Sequence, residues 1–384
     1  MRPPTIFLHI GTEKTGTSTV QVLFRRNRAK APALGLYYPE TPLLAGGSVH
    51  LGLVYYAAGA GDRLPLFHGV DPRFEAGSET FKRDFVASLA DEITASGCPR
   101  VLLSCEFLSS SLRTQASVDR LIAALREITD DIRVIIYLRP QYELVVSAYQ
   151  TSVKGGRATA CRAPQARDPF FNYDILLNLW ENSLGADRII VRLFNRAEFK
   201  DGAFLEDFFD VLSMKFPPWA ANHKVLNTRL SAEAVAFLRI VNAATLTSRD
   251  RWRAERLPHA LDALALALER FPDAGGLPVA ADTLCQTDEM FAESNKAVAS
   301  RYFPQRTVPL FAPYKRPEGT GEPTCLTPER AVEIALYLWK TRTETLAETR
   351  AELRRLRDIV TRAAPKGPAT ALAKVAATET RPST

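Results

Sequence analysis

The sequence predicts an α/β fold, a P-loop-like parallel β-sheet flanked by helices, with a helical C-terminal part and a long C-terminal helix. Three observations carry this expectation. Runs such as Ile6-Phe7-Leu8-His9-Ile10 and Ile132-Arg133-Val134-Ile135-Ile136-Tyr137-Leu138 are nearly continuous in apolar residues, as strands buried on both faces of a parallel sheet are. Amphipathic stretches separate these runs, so successive strands are joined by helical crossovers. The first run also opens into a glycine-bounded loop, Gly11-Thr12-Glu13-Lys14-Thr15-Gly16, followed at once by Thr17-Ser18-Thr19 and a helix.

The elements follow in order. Val20, Leu23 and Phe24 form the apolar face of the first helix, and Arg25, Arg26 and Arg28 its solvated end. Leu36-Tyr37-Tyr38-Pro39 reads as a short extended piece. Phe81, Phe85, Leu89 and Ile93 give helical periodicity between Ser78 and Ser96. Val101 to Cys105 is the second core strand, Val118 to Ile128 a helix, and 132–138 the third strand, ending at Arg139. Pro140 suits the first position of the next helix. Leu176 to Leu184 reads as a helix and Arg188 to Leu193 as a fourth strand.

Beyond about residue 200 the strand signal fades. Helices are expected at Phe204–Leu212, Ser231–Ala244, His259–Leu268 and Thr283–Ala299, with Ser231 as an N-cap. Residues 304–326 hold five prolines and little periodicity, so they form a loop. Its Tyr314-Lys315-Arg316 cluster is either a solvated basic turn or a group that closes over a nucleotide. Thr327-Pro328 starts a long helix in which Val332, Trp339, Leu346, Leu353 and Val360 recur every seven residues, with Leu336 and Leu356 near the same stripe. Thr343 and Arg350 make this only a partial heptad seam. A helix packed on its own domain and a coiled coil that makes a homo-oligomer both remain open. The expected organisation is an α/β domain over 1–326, helical from about 200, a long helix over 327–363, and a disordered Ala-, Thr-, Pro- and Lys-rich tail over 364–384.

Composition narrows the function. A chain of 384 residues can bury one large α/β core with additions. The net charge of +6 favours anionic ligands, but no zinc-finger spacing, aromatic-laced basic stripe or RNA-binding motif accompanies it, so nucleic acid is not an expected partner. Five cysteines, odd in number and without a C-x-x-C pair, read as reduced thiols in a cytoplasm. Five histidines, none at metal-ligand spacing, argue against a metal. No apolar run approaches the ~20 residues of a transmembrane helix, and Met1-Arg2-Pro3-Pro4 leads straight into a strand rather than a signal peptide.

The loop at 11–16 carries the chemistry. A glycine-bounded turn between strand and helix aims backbone N–H groups and a helix N-terminus at one small volume, an arrangement that binds phosphate or sulfate. Gly11 and Gly16 have Walker A spacing, but Thr17 stands where an NTPase has its lysine. The loop's cation is Lys14, and Thr15, Thr17, Ser18 and Thr19 can add hydroxyl donors. At the end of the third strand, Arg139 is followed by Ser147 about two helical turns on, so a guanidinium and a hydroxyl can converge on a second phosphate.

These two elements, in this order, resemble the 5′-phosphosulfate loop and the 3′-phosphate element of the sulfotransferases. The family loop reads Lys-Thr-Gly-Thr-Thr or close to it; here it is Lys14-Thr15-Gly16-Thr17-Ser18. The family usually carries an Asp between arginine and proline, whereas Pro140 follows Arg139 directly. The resemblance covers roughly the first 200 residues and extends loosely to Asn227-Thr228-Arg229-Leu230-Ser231 and to Asn295–Tyr302, which are similar to bacterial members. It implies sulfuryl transfer from 3′-phosphoadenosine 5′-phosphosulfate (PAPS) to a hydroxyl or amine of an acceptor, a saccharide or glycolipid by analogy with the carbohydrate-type enzymes, without a metal. Lys14 would stabilise the leaving phosphate. The general base would be Glu106, in Ser104-Cys105-Glu106 at the end of the second core strand, or His50, in a region that lines the acceptor cleft together with loops 39–75 and 155–170. Two readings of other classes stay open: a P-loop kinase or nucleotide hydrolase, and a non-catalytic nucleotide-binding scaffold working through its long helix.

Overall fold

A computed structural model describes residues 3–43, 47–64, 79–221, 230–246, 263–272, 275–319 and 321–363. Five parallel strands form one sheet: β1 (Thr5–Gly11), β2 (Leu36–Tyr37), β3 (Arg100–Ser104), β4 (Ile132–Leu138) and β5 (Ile189–Leu193). Their order is β2-β3-β1-β4-β5. The chain therefore leaves the central strand toward one edge, returns as β3, and crosses β1 to build the other half. The C-terminal end of β1 lies at the point where the winding reverses, which is where open α/β sheets bind ligands.

Alternation along the strands divides the core in two. Ile6, Leu8 and Ile10 of β1 and Ile132, Val134 and Ile136 of β4 point to one face. There they pack under α3 (Glu79–Ser96), α5 (Gln115–Arg126) and α7 (Tyr173–Leu184). Phe7, Leu102, Ile135 and Tyr137 point to the other face, against α1 (Thr17–Arg26) and α8 (Phe204–Val211). Burial on both faces is why the runs read as apolar throughout.

Two short helices, α2 (Gly52–Ala57) and α4 (Phe107–Ser111), fall where no helical period is readable in the sequence. After β4, Pro140 is extended (φ −51, ψ 133) and acts as the N-cap, so α6 runs Gln141–Lys154. The stretch at 283–299 is two helices, α11 (Ala281–Met290) and α12 (Ala292–Tyr302), because the chain turns at Phe291, whose side chain is fully buried.

A third core joins α6 to the C-terminal helices. Val145, Tyr149 and Val153 meet Leu230, Val235 and Leu238 of the α9 (Ala232–Leu246) region, Leu268 of α10 (263–268), and Ile334 of α13 (Pro328–Ala363). Ser231 caps α9, its hydroxyl accepting from Ala234 N at 3.1 Å. Helix α13 docks through Ile334, Tyr337 and Leu338, and Tyr337 meets Phe271 edge-on at 5.3 Å. The seven-residue stripe is another face: Val332, Leu336, Trp339 and Leu353 are all exposed, Trp339 by 73%. The 304–326 segment has no regular structure where it is described. Residues 44–46 and 65–78 of the cleft loops, 222–229, 259–262 and the tail at 364–384 lie outside the described residues.

One charged network ties α8 to the sheet. Asp207, fully buried, accepts from Tyr137 Oη at 2.7 Å and from Lys200 N at 3.0 Å, and is ion-paired with Arg192 of β5. Removing one member of such a pair leaves the other unpaired at a partly buried position. Asp207→Ala should therefore lower the unfolding free energy by about 3 kcal/mol. Urea denaturation would show it as a lower midpoint, and an unchanged midpoint would mean that the network adds nothing.

Candidate functional site

At the end of β1 the chain needs a backbone that side chains oppose. Gly11 has φ +102, and a Cβ there would meet Glu13 N at 3.0 Å and the Glu106 Cβ at 3.1 Å. Gly16 has φ +76, and a Cβ there would strike the Phe204 ring at 2.5 Å. Both glycines are required for the loop to close onto its neighbours. Lys14 itself adopts φ +67, a left-handed conformation that costs a non-glycine residue about 1 kcal/mol. The loop is fastened to β4: Thr12 N donates to Tyr137 O at 3.0 Å, and Arg139 Nη1 donates to Lys14 O at 2.9 Å.

Helix α1 begins at Thr17 with Gly16 as N-cap, no side-chain cap and no acidic residue in its first turn. Its positive end is thus left for an outside anion. In front of it opens a cavity of about 350 Å³. The loop and α1 contribute Glu13, Lys14, Gly16, Thr17, Ser18 and Thr19 to its walls, and α6 contributes Ser147, Gln150, Thr151 and Lys154. Glu106, Phe107, Arg139 and Phe194 come from the ends of β3, β4 and β5. An apolar cavity of about 380 Å³ adjoins it, sharing Gly16, Thr19 and Phe194 and lined further by Phe204, Leu205 and Phe216.

Of the residues expected from sequence, Lys14, Gly16, Thr17, Ser18, Thr19, Glu106, Arg139 and Ser147 meet at this cavity. Thr15 does not line it. Its side chain is buried and its hydroxyl donates to Thr12 O at 2.6 Å, so it holds the loop's shape. His50 stands apart as well. Ser104 N donates to its Nδ1 at 2.8 Å, which fixes the proton on Nε2, and Nε2 donates to Pro39 O at 2.9 Å. Fully buried against Tyr38, its ring is pulled down to a pKa of about 4 and stays neutral. With both nitrogens committed to backbone, His50 joins β3 to the segment at 39. The Tyr314-Lys315-Arg316 cluster also lies outside the cavity: Tyr314 N donates to Asp288 at 2.8 Å, and Arg316 pairs with Asp282 at 2.7 Å.

Glu106 is 8% exposed, and burial is the main cause that raises its pKa, with Glu13 adding to the rise. A hydrogen bond from Gln21 Nε2 and the charge of Lys14 work the other way. Burial pulls Lys14 down, while Glu13 and Glu106 hold it up. The site thus sets a carboxylate of raised basicity beside an ammonium that lacks full solvation and gains from an anion. Arg139 is 4% exposed, its carbonyl accepts from Tyr173 Oη at 2.7 Å, and its Nε is buried without a partner. Sequence reasoning missed Gln21, Thr151 and Lys154. Gln21 lies one turn beyond Thr17 on α1; Thr151 and Lys154 follow Ser147 at the spacing of one helix face, a signal that was readable. Lys154 is ion-paired with Glu269 of the α10 region.

No family model matches the chain. An uncharacterized protein of Archaeoglobus fulgidus is 29% identical over 125 residues, 32% of this chain and 33% of that protein. The match therefore spans about a third of that relative's length. Among solved structures, the sulfotransferase domain of a Synechococcus olefin synthase aligns with TM-score 0.33 and 14% identity, over 75% of this chain and 94% of that domain. A sulfotransferase from Alicyclobacillus acidocaldarius aligns with TM-score 0.32 and 14% identity, over 67% of this chain and 100% of its own. Among the described residues, no group of His, Cys, Asp or Glu could hold a metal ion, and no helix is long and apolar enough to cross a membrane.

The raised pKa of Glu106 has a consequence for stability. A carboxyl that binds its proton more tightly folded than unfolded brings no penalty below the ordinary carboxylate range, where both states are protonated. As pH rises through the folded-state pKa, the fold must hold a buried charge and loses stability. Glu106→Gln keeps the contact with Gln21 and removes that charge. Its melting temperature should exceed wild type at neutral pH, with the gain vanishing in acid. A gain that persisted in acid would point to packing instead.

Proposed function

We propose that this chain is a sulfotransferase that moves the sulfuryl group from PAPS to a hydroxyl or amine of an acceptor. One observation carries the reading. A buried carboxylate, Glu106, a loop ammonium, Lys14, an uncapped helix N-terminus and a buried arginine with an open Nε share one cavity at the winding reversal of the sheet. The anion-binding groups suit a donor with two phosphate positions, and the adjoining apolar cavity between Phe194, Phe204 and Phe216 suits its adenine.

In this reading Lys14 and the first turn of α1 hold the 5′-phosphosulfate, and Arg139 and Ser147 the 3′-phosphate. Glu106 takes the proton of the acceptor O–H or N–H as that atom bonds to sulfur. The bond from sulfur to the bridging oxygen breaks, its electron pair stays on the 5′-phosphate, and the Lys14 ammonium neutralises the new charge. The products are the sulfated acceptor and 3′-phosphoadenosine 5′-phosphate (PAP). Elevated basicity helps Glu106 in this task, and Gln21 orients it. A saccharide or glycolipid acceptor rests on the family resemblance of the motifs, and the cytoplasmic setting on the cysteine pattern.

PAP should raise the melting temperature of the protein, and Mg-ATP should not; the reverse would return the chain to the kinase and hydrolase class. Lys14→Ala should fold normally and lose about 100-fold or more in transfer rate, the effect of removing one contact made mainly in the transition state. Turnover near the wild-type rate would remove the phosphosulfate from this loop. In calorimetry PAP should bind much more tightly than AMP, and Arg139→Ala should erase most of that difference. Equal wild-type affinities for the two would sink the 3′-phosphate assignment.

A further inference from the structure

The Arg139 guanidinium is held at two of its three nitrogens. Nη1 is committed to Lys14 O at 2.9 Å. On the opposite edge, Nε and Nη2 form the side-on fork that carboxylates and phosphates grip with two oxygens. Here Glu143, four residues on, meets Nη2 through a single carboxylate oxygen, and Nε keeps no partner. Arg139 is almost wholly buried, while Glu143 is 42% exposed on its side chain.

Glu143 also sits one helical turn before Ser147. It is thus four residues from each of the two groups that share the 3′-phosphate in the reading above and is paired with one of them, although it does not line their cavity. A neighbouring cavity of about 610 Å³ is lined by Glu143 together with Arg196 and Arg306, the latter paired with Glu198 at 2.8 Å.

We propose that Glu143 is a built-in competitor for the phosphate that Arg139 receives, which holds down the affinity for 3′-phosphorylated nucleotides and so eases release of the spent nucleotide. This rests on reading Arg139 as the 3′-phosphate group. The Glu143 carboxylate neutralises a buried guanidinium that would otherwise be costly. A phosphate engages both fork donors and displaces it, so the measured affinity is reduced by the fraction of molecules in which Arg139 is free. A nucleotide without the 3′-phosphate leaves the pair intact and escapes this reduction.

The test measures PAP and AMP affinities by calorimetry in wild type, Glu143→Gln and Glu143→Ala. Both variants should bind PAP about tenfold more tightly than wild type, with AMP affinity within twofold, and PAP should become a stronger product inhibitor. A residue that only orients Arg139 would instead lose PAP affinity when replaced, and that result overturns the proposal. Equal tightening toward AMP overturns it too, since the gain would not come through the 3′-phosphate. A wild-type preference for PAP with no gain in either variant removes the competitor and leaves the function reading standing. No preference for PAP in any of the three removes both.

Discussion

The whole site hangs on how the end of β4 holds the loop that follows β1. Thr12 N to Tyr137 O and Arg139 Nη1 to Lys14 O are two hydrogen bonds of about 3 Å between segments far apart in sequence. They extend the β1–β4 pairing beyond the last sheet residues, where the register already slips between His9 and Gly11. Tyr173 then fixes the carbonyl of Arg139 from α7. Lys14 is thus presented by backbone geometry, and Arg139 is at once a scaffold for the loop and a wall of the cavity. Loss of its side chain would act on both roles, whereas loss of Glu143, which pairs with Nη2, leaves the Nη1 donor to the loop in place.

The cavity is electrically mixed. Glu13 and Glu106 face Lys14, Arg139 and Lys154 within one lining. A site built only to hold anions would have no use for a buried carboxylate beside its lysine, since the carboxylate competes for the same cation. In the proposed reaction that competition is tolerable, because one group accepts a proton while another steadies a developing negative charge: burial raises the basicity of Glu106, and the charges of Glu13 and Glu106 oppose the burial that would discharge Lys14.

What the sequence made legible follows from how local each signal is. The strand at 132–138 and the loop at 11–16 were readable because burial on both faces and a tight turn leave marks within a few residues. Helices α2 and α4 were not, being too short to show a period. The break at Phe291 was hidden because apolar spacing continues through it. Lys14, Arg139 and Ser147 belong to contiguous motifs, whereas Gln21 and Glu143 matter only through what the fold sets against them. His50 shows the converse: a conspicuous residue type whose two backbone partners, at Pro39 and Ser104, come from separate segments. The seven-residue stripe on α13 is a local pattern, whereas the docking face of that helix, the one bearing Ile334 and Tyr337, is set by the partners that the fold brings to it.

The contact of Gly16 with the Phe204 ring bears on the thermodynamics of ligand capture. Phe204 begins α8 and packs edge-on against Tyr137 and Phe194 and at a tilt against Phe199 and Phe208, so the ring under the loop is itself clamped. With Thr15 tied to Thr12 O and Lys14 already left-handed, the loop has surrendered its conformational freedom before any anion arrives. The entropy of ordering it belongs to folding and not to binding. In the proposed function, an incoming phosphate would meet a receptor whose dipoles already point inward, and little of its interaction energy would be spent on ordering the loop.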